Sequence, residues 1–260
     1  MVDAVGLPGV QDKLSLRMIS LPVAQANQRF ILKLDPPEYP HVVANEAYFL
    51  GLARKARIPA AKAHLVHDRD GRPGLLVERF DRATGPDGTL QRLPVEDGAQ
   101  VLGRFPADKY AVSTEQTITA LADLCLARTV AVQQLYRQWL FAWLTGNGDQ
   151  HAKNLALLAD APGEWRVSPM YDVPSTLPYG DVRAALPMAG RRDGFSRRQA
   201  LAFAAALHLP ERAAIATIDA MLAATERVIP DLEAGALPFD AATVRDMVRV
   251  LCFRRREIAA

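Results

Sequence analysis

The sequence predicts an α+β chain of two lobes, a small strand-rich one over residues 1–82 and a mainly helical one over 83–260. Three observations carry this reading. Before residue 82, short apolar alternations stand between turn residues, the mark of strands and hairpins. After residue 90, long runs repeat their apolar residues at helical spacing. Between two such runs lies an irregular stretch, residues 146–154, reading Gly-Asn-Gly-Asp-Gln-His-Ala-Lys-Asn.

In the first part, strands are expected at 14–18 and at 30–34, then a helix at about 43–55. A hairpin of 62–67 and 75–78 turns around Asp70-Gly71-Arg72-Pro73-Gly74. In the second part, 95–101 reads as a short helix, and 113–127 and 129–145 as long ones, with an N-cap expected within Thr114-Glu115-Gln116-Thr117. A hairpin of 155–158 and 165–167 around Asp160-Ala161-Pro162-Gly163 follows, and then a long irregular stretch marked by Pro174, Pro178, Gly180 and Pro187. Long irregular stretches inside compact domains tend to be functional. Helices at 198–207, 211–228 and 241–258 close the chain.

Composition sets limits. Half the residues are hydrophobic and 23% charged, ordinary for a globular protein. A net charge of +2 gives no footing for direct nucleic-acid binding. No apolar run reaches the ~18 residues of a membrane span, and no secretory leader pattern opens the chain, so a cytoplasmic location is expected. Cys125 and Cys252 lie apart in apolar helical patterns, which predicts two buried free thiols. His41, His64 and His67 have no metal-ligand spacing around them and read as solvated loop or strand residues. Trp139, Phe141 and Trp143 read as core beneath the 146–154 stretch.

The chemistry-bearing residues fall in a definite order. Asn154 stands five positions after Asp149. In loops that transfer phosphoryl groups, an Asp at this spacing accepts the proton of the attacking hydroxyl and the Asn ligates magnesium. Asp172, in Met170-Tyr171-Asp172-Val173, follows a hairpin, the place of a second metal-binding Asp. By itself it reads equally as a turn residue before Pro174. Lys33 lies in an expected strand and Glu46 in the expected helix after it, the types and order of an ion pair that holds nucleotide phosphates. Ahead of them, Pro8, Gly9, Val10, Gln11, Asp12 and Lys13 make a glycine-containing turn. Glu78, Arg79 and Phe80 leave the last strand of the first part, where backbone groups of a hinge would meet an adenine edge.

That order resembles the HipA-like serine/threonine kinases, the toxin kinases of bacterial toxin–antitoxin systems. The resemblance is carried by Gly9-Val10-Gln11-Asp12-Lys13, Ile31-Leu32-Lys33-Leu34, Asn45-Glu46-Ala47-Tyr48, Val77-Glu78-Arg79-Phe80-Asp81-Arg82, the 146–154 stretch and Pro169-Met170-Tyr171-Asp172. It implies a two-lobed protein-kinase-like fold, with ATP and Mg2+ as cofactors. Asp149, Lys33 and Lys153 would be catalytic, and Asn154 and Asp172 would hold the metal. The nucleotide would meet residues 8–13, Lys33, Glu46, Glu78, Arg79, Phe80, His151, Asn154, Tyr171 and Asp172. It also implies a HipB-like DNA-binding antitoxin as partner and a translation-related substrate such as an aminoacyl-tRNA synthetase.

Three departures from the family pattern matter. No hydroxyl residue lies between Met1 and Gln11, so a regulatory autophosphorylation of this loop is not expected. The family's additional N-terminal subdomain is either absent or supplied by a separate HipS-like protein, as in three-gene HipT-type systems. Asn147-Gly148-Asp149 and Met170-Tyr171-Asp172 replace the signatures of small-molecule kinases of the aminoglycoside or choline type, which remain one alternative. A non-catalytic antitoxin-binding module is the other. Arg191, Arg192, Arg197 and Arg198 read either as a solvated loop or as a patch for an acidic partner.

Overall fold

A four-stranded antiparallel sheet opens the computed structural model, which describes residues 19–25, 28–85, 87–161 and 163–260. Its strands run β1 (Ile19–Gln25), β2 (Gln28–Leu34), β4 (Pro73–Glu78), β3 (Ala63–His67) across the sheet. The strand expected at 14–18 and the turn at 8–13 lie outside the described residues. Strand β1 was not among the expected elements, and it runs unbroken through Pro22. A proline is tolerated on an end strand, where its missing N–H leaves no ladder bond unmade.

The register places Lys33 opposite Ser20 on β1 and Leu75 on β4. Leu75 and Val77 share its face and are buried beneath helix α1 (Val42–Lys55). Residues Val42, Val43, Phe49, Leu50 and Ala53 form the buried stripe of α1, and Glu46 sits within it. A carboxylate on such a stripe needs a partner to offset its lost hydration. The side chain of Asp35 accepts from the N–H groups of His41 (3.0 Å) and Val43 (2.8 Å) and so satisfies the start of the helix.

A small hairpin, β5 (Arg82–Thr84) with β6 (Leu90–Arg92), leads to β7 (Val95–Asp97). Strand β7 pairs with β8 (Ala156–Ala161), which pairs with β9 (Glu164–Val167). This corrects the expected helix at 95–101: only α2 (Gly98–Val101) is helical. A three-residue strand is too short to show a period, and its partner lies some 60 positions on, so pairing across the fold decides it. Asp97 ends the strand and opens α2 through a capping box with Gln100.

Helices α3 (Thr114–Asp123) and α4 (Arg128–Thr145) follow. The cap of α3 is Ser113, one residue before the expected window, reciprocated by Gln116. Trp139, Phe141 and Trp143 are buried core, as expected. The chain ends with α5 (Arg197–Ala206), α6 (Glu211–Ala224), α7 (Val228–Glu233) and α8 (Ala241–Ala259). The single helix expected over 211–228 stops at Ala224 and restarts as α7. Pro230 explains the restart: it fits the first turn of a new helix but would break a continuous one.

Cys125 is buried, which pushes its thiol up, whereas Cys252 is exposed on α8 and corrects the expectation of two buried thiols. Arg254 of α8 is buried over the Trp143 ring, 3.7 Å from its centroid, and donates to the carbonyls of Trp143 (2.8 Å) and Val182 (2.6 Å). Burial brings its pKa down to about 10. The C-terminal helix thus braces the end of α4, from which the 146–154 stretch departs. Among the described residues, no helix is long and apolar enough to cross a membrane.

Candidate active site

The turn that releases residues 146–154 from α4 depends on two glycines. Gly146 caps the helix at φ 78°, a left-handed position that glycine takes without strain. A Cβ on Gly148 would lie 2.5 Å from the Arg183 carbonyl oxygen, so only glycine lets the two backbones approach. The Gly148 N–H donates to Thr176 Oγ1 at 2.9 Å. Asn147 Oδ1 accepts from the Asp149 N–H (2.8 Å), and Asn147 Nδ2 donates to the Asp172 carbonyl (3.3 Å). One amide side chain therefore spaces the two aspartates.

Lys33 meets the expected carboxylates. Its Nζ donates to Glu46 Oε1 (2.8 Å) and Oε2 (2.9 Å), and also to Asp172 Oδ1. The three residues come from β2, α1 and the segment after β9, separated by 13 and 139 positions. Burial alone would lower the lysine's pKa, but the nearby charges of Asp172 and Glu46 outweigh it and hold the ammonium above its ordinary range. Burial raises Glu46, which Lys33 only partly counters. Asp172 takes a left-handed backbone, φ 51°, an uncommon conformation that Asp tolerates better than most residues. This is more than the simple turn before Pro174.

Asn154 closes the loop back on Asp149: its Nδ2 donates to the Asp149 carbonyl at 2.9 Å. That leaves Asn154 Oδ1 buried without a hydrogen-bond partner among the described residues. Hard divalent cations take oxygen ligands, and an orphaned amide oxygen and the Asp172 carboxylate are donors of the kind magnesium takes. Lys153 is buried, and its charge pulls Asp97 down, although burial holds Asp97 above the ordinary carboxylate range. Tyr171 donates to the Lys153 carbonyl at 2.6 Å and stands 5.6 Å from the Phe80 ring. His151 is fully buried, its ring edge-on to Tyr110 at 5.2 Å.

The hinge residues divide. Glu78 stands partly exposed, its N–H on the Lys62 carbonyl at 2.7 Å and its carboxylate 3.5 Å from Lys62 Nζ. Arg79 is buried, with Nε bonded to Asp81 at 2.9 Å and its N–H to the Arg29 carbonyl, so its side chain braces the hinge. Residues Pro8 to Lys13, expected to cover the phosphates, lie outside the described residues. In the basic stretch, Arg192 donates to the carbonyls of Ala185 and Tyr110, and Arg197 pairs with Asp219 at 2.8 Å. Two of those four arginines therefore have structural partners, beyond a solvated loop.

Two residues of the site were not singled out from the sequence. Tyr110 donates its hydroxyl to Asp149 Oδ1 at 2.6 Å. Nothing in its surroundings marks it, because the contact spans 39 positions. Asn45 donates to the Ser175 carbonyl (2.9 Å) and accepts from the Ser175 N–H (2.8 Å), fastening α1 to the segment after Asp172. Its signal was available: a polar amide on the buried stripe of α1, beside Glu46.

Known proteins resemble this chain in sequence and in fold. Residues 5–229 match the family described as HipA-like C-terminal domain. A putative kinase, Y4mE of Sinorhizobium fredii, is 34% identical over 193 residues, 71% of this chain and 45% of its own. The serine/threonine-protein kinase toxin HipA of Shewanella oneidensis is 30% identical over 206 residues, 71% of this chain and 46% of its own. This chain thus spans about half the length of the curated relatives it matches. The solved complex of Shewanella oneidensis HipA, HipB and operator DNA contains a chain that superposes with a TM-score of 0.70 at 26% identity, covering 88% of this chain and 57% of that one. The Helicobacter pylori proinflammatory kinase CtkA shares the fold at 11% identity, TM-score 0.58, over 92% of this chain and 88% of its own.

Proposed function

Because this chain belongs to the family of HipA-like C-terminal domains, we propose that it is a serine/threonine protein kinase using ATP and Mg2+. The observation that carries the proposal is the meeting of Lys33, Glu46 and Asp172, drawn from three distant segments. Phosphoryl transfer is mostly positioning and charge neutralisation, since its transition state is loose and rich in oxygen charge. In this reading Lys33 binds the α- and β-phosphates and Glu46 orients it. Asp149 positions the acceptor hydroxyl and takes its proton, and Lys153 stabilises the transferring group. Asn154 and Asp172 would hold magnesium, which neutralises phosphate charge when bound. Phe80 and Tyr171 would line the base pocket from the hinge side, with Glu78, Arg79 and His151 around the nucleotide.

The relatives' names support a toxin role, and we extend it to this chain as a proposal. Its partner would be a HipB-like antitoxin, with a HipS-like protein supplying the N-terminal subdomain. Its substrate would be a translation factor such as an aminoacyl-tRNA synthetase, in the cytoplasm. The lobe boundary near residue 82 belongs to the same reading. The test compares the phosphoproteome of cells making the chain with that of cells making Asp149→Ala. A Ser or Thr site that depends on Asp149 is expected. Magnesium-ATP-dependent modification of a small metabolite alone would turn the reading toward a small-molecule phosphotransferase. Toxicity that survives the substitution would turn it toward a binding module.

A further inference from the structure

A second concave opening, of about 230 Å3, lies where the segment after α1 meets α4 and the end of β9. Arg57 and Pro59 line it from the first, Gln134 and Arg137 from the second, and Arg166 and Ser168 from the third. It shares no residue with the Lys33–Asp172 site. Arg57, Arg137 and Arg166 are among its lining residues, and none of its lining residues among those described is acidic.

Arg137 shows the mismatch at atomic level. Its Nε is buried and has no acceptor among the described residues. A buried donor left in this way forgoes the hydration it would keep in solvent. Arg57 lines the opening from the left-handed position, φ 57°, that caps the end of α1, where the Ile58 N–H bonds back to the Ala53 carbonyl at 2.9 Å. Guanidinium groups match the planar, two-oxygen edges of phosphate and carboxylate. At ~30 Å3 per water, the opening holds a small ion and is too small for a macromolecular segment.

We propose that this opening binds a small polyanion carrying phosphate or carboxylate groups, held by Arg57, Arg137 and Arg166. Its position gives the ligand a lever. At this joint the Met170 N–H donates to the Pro59 carbonyl (2.8 Å) and the Ala61 N–H to the Met170 carbonyl (2.9 Å). An anion bridging Arg57 to Arg137 and Arg166 braces that joint, two residues before Asp172. The binding itself does not depend on the kinase reading.

Isothermal titration of the full chain with pyrophosphate, and separately with citrate, tests the site. The variants are Arg137→Gln, Arg57→Ala and, as a control for phosphate binding at the other site, Lys33→Met. Circular dichroism checks that each is folded. Arg57 is exposed, so its variant keeps the test valid if Arg137→Gln fails to fold. At least tenfold weaker binding is expected in both arginine variants, with no change in Lys33→Met. Which anion binds with that dependence names the ligand class. Binding that survives both arginine substitutions, or is lost only in Lys33→Met, overturns the proposal. So does the absence of any binding at millimolar pyrophosphate and citrate.

Discussion

Replacing Asn45 with alanine tests whether one amide fastens α1 to the catalytic side of the cleft. Asn45 and Ser175 are both fully buried and exchange two hydrogen bonds of 2.9 and 2.8 Å. Alanine leaves the Ser175 N–H and carbonyl without those partners, and each such loss costs about 1–3 kcal/mol. The two together predict a destabilisation of roughly 2–6 kcal/mol, large against a total stability of about 5–15 kcal/mol. At about 2 cal/mol/K of unfolding entropy per residue, the 260-residue chain loses ~2 °C of Tm per kcal/mol. A drop of roughly 4–12 °C is therefore expected by differential scanning calorimetry. Glu46 is the next residue on the same helix, so a nucleotide KM measured on the folded variant should rise as the Lys33–Glu46 pair loosens. Asn45→Asp keeps an acceptor for the Ser175 N–H but sets a second buried carboxylate beside Glu46, and should be no better than alanine. A Tm within about one degree of the parent would refute the reasoning, since it would mean the two bonds contribute nothing net.

Two further substitutions probe the same machinery. Tyr110→Phe removes the hydroxyl that holds Asp149 Oδ1 at 2.6 Å; steady-state kinetics should show kcat down about tenfold, the worth of one hydrogen bond to a charged group, with nucleotide KM unchanged. An unchanged kcat would show that Asp149 is positioned without the Tyr110 hydroxyl. Asp97→Asn keeps an N-cap of equal quality and removes a carboxylate whose pKa burial raises. The folded state binds the proton more tightly there than the unfolded chain does, so parental stability falls as pH rises from the unfolded value near 4 through the raised one. Urea unfolding should find the variant as stable as the parent or more so at neutral pH, and flatter across that interval; a large loss at neutral pH would mean that the attraction of the Lys153 charge outweighs burial.

Legibility from sequence followed the range of the interaction responsible. The ends of α1 and α4 and the hairpin of β3 with β4 are local matters of period, turn and cap, and they stood within a residue or two of expectation; the hairpin of β8 with β9 was expected too, but β8 runs three residues past Leu158 into the expected turn. Strand β7 and the break between α6 and α7 were not expected. The first exists because β8 returns to pair with it, and the second because Pro230 suits a fresh helical turn. Cys252 shared an apolar helical pattern with Cys125, yet which face of α8 is covered depends on what packs there.

The site divides in the same way. Spacing within one segment was enough to link Asp149 with Asn154, and residue type in order was enough to single out Lys33, Glu46 and Asp172. Those side chains need particular chemistry at particular places, and composition in a short window records it. Only the tertiary structure decided that Lys33 is shared between two carboxylates, that Tyr110 stands on Asp149, and that Asn45 fastens α1 to Ser175. Each of these is a contact between segments far apart in the chain, and a hydrogen bond across 39, 130 or 139 positions leaves no period or spacing behind in the sequence.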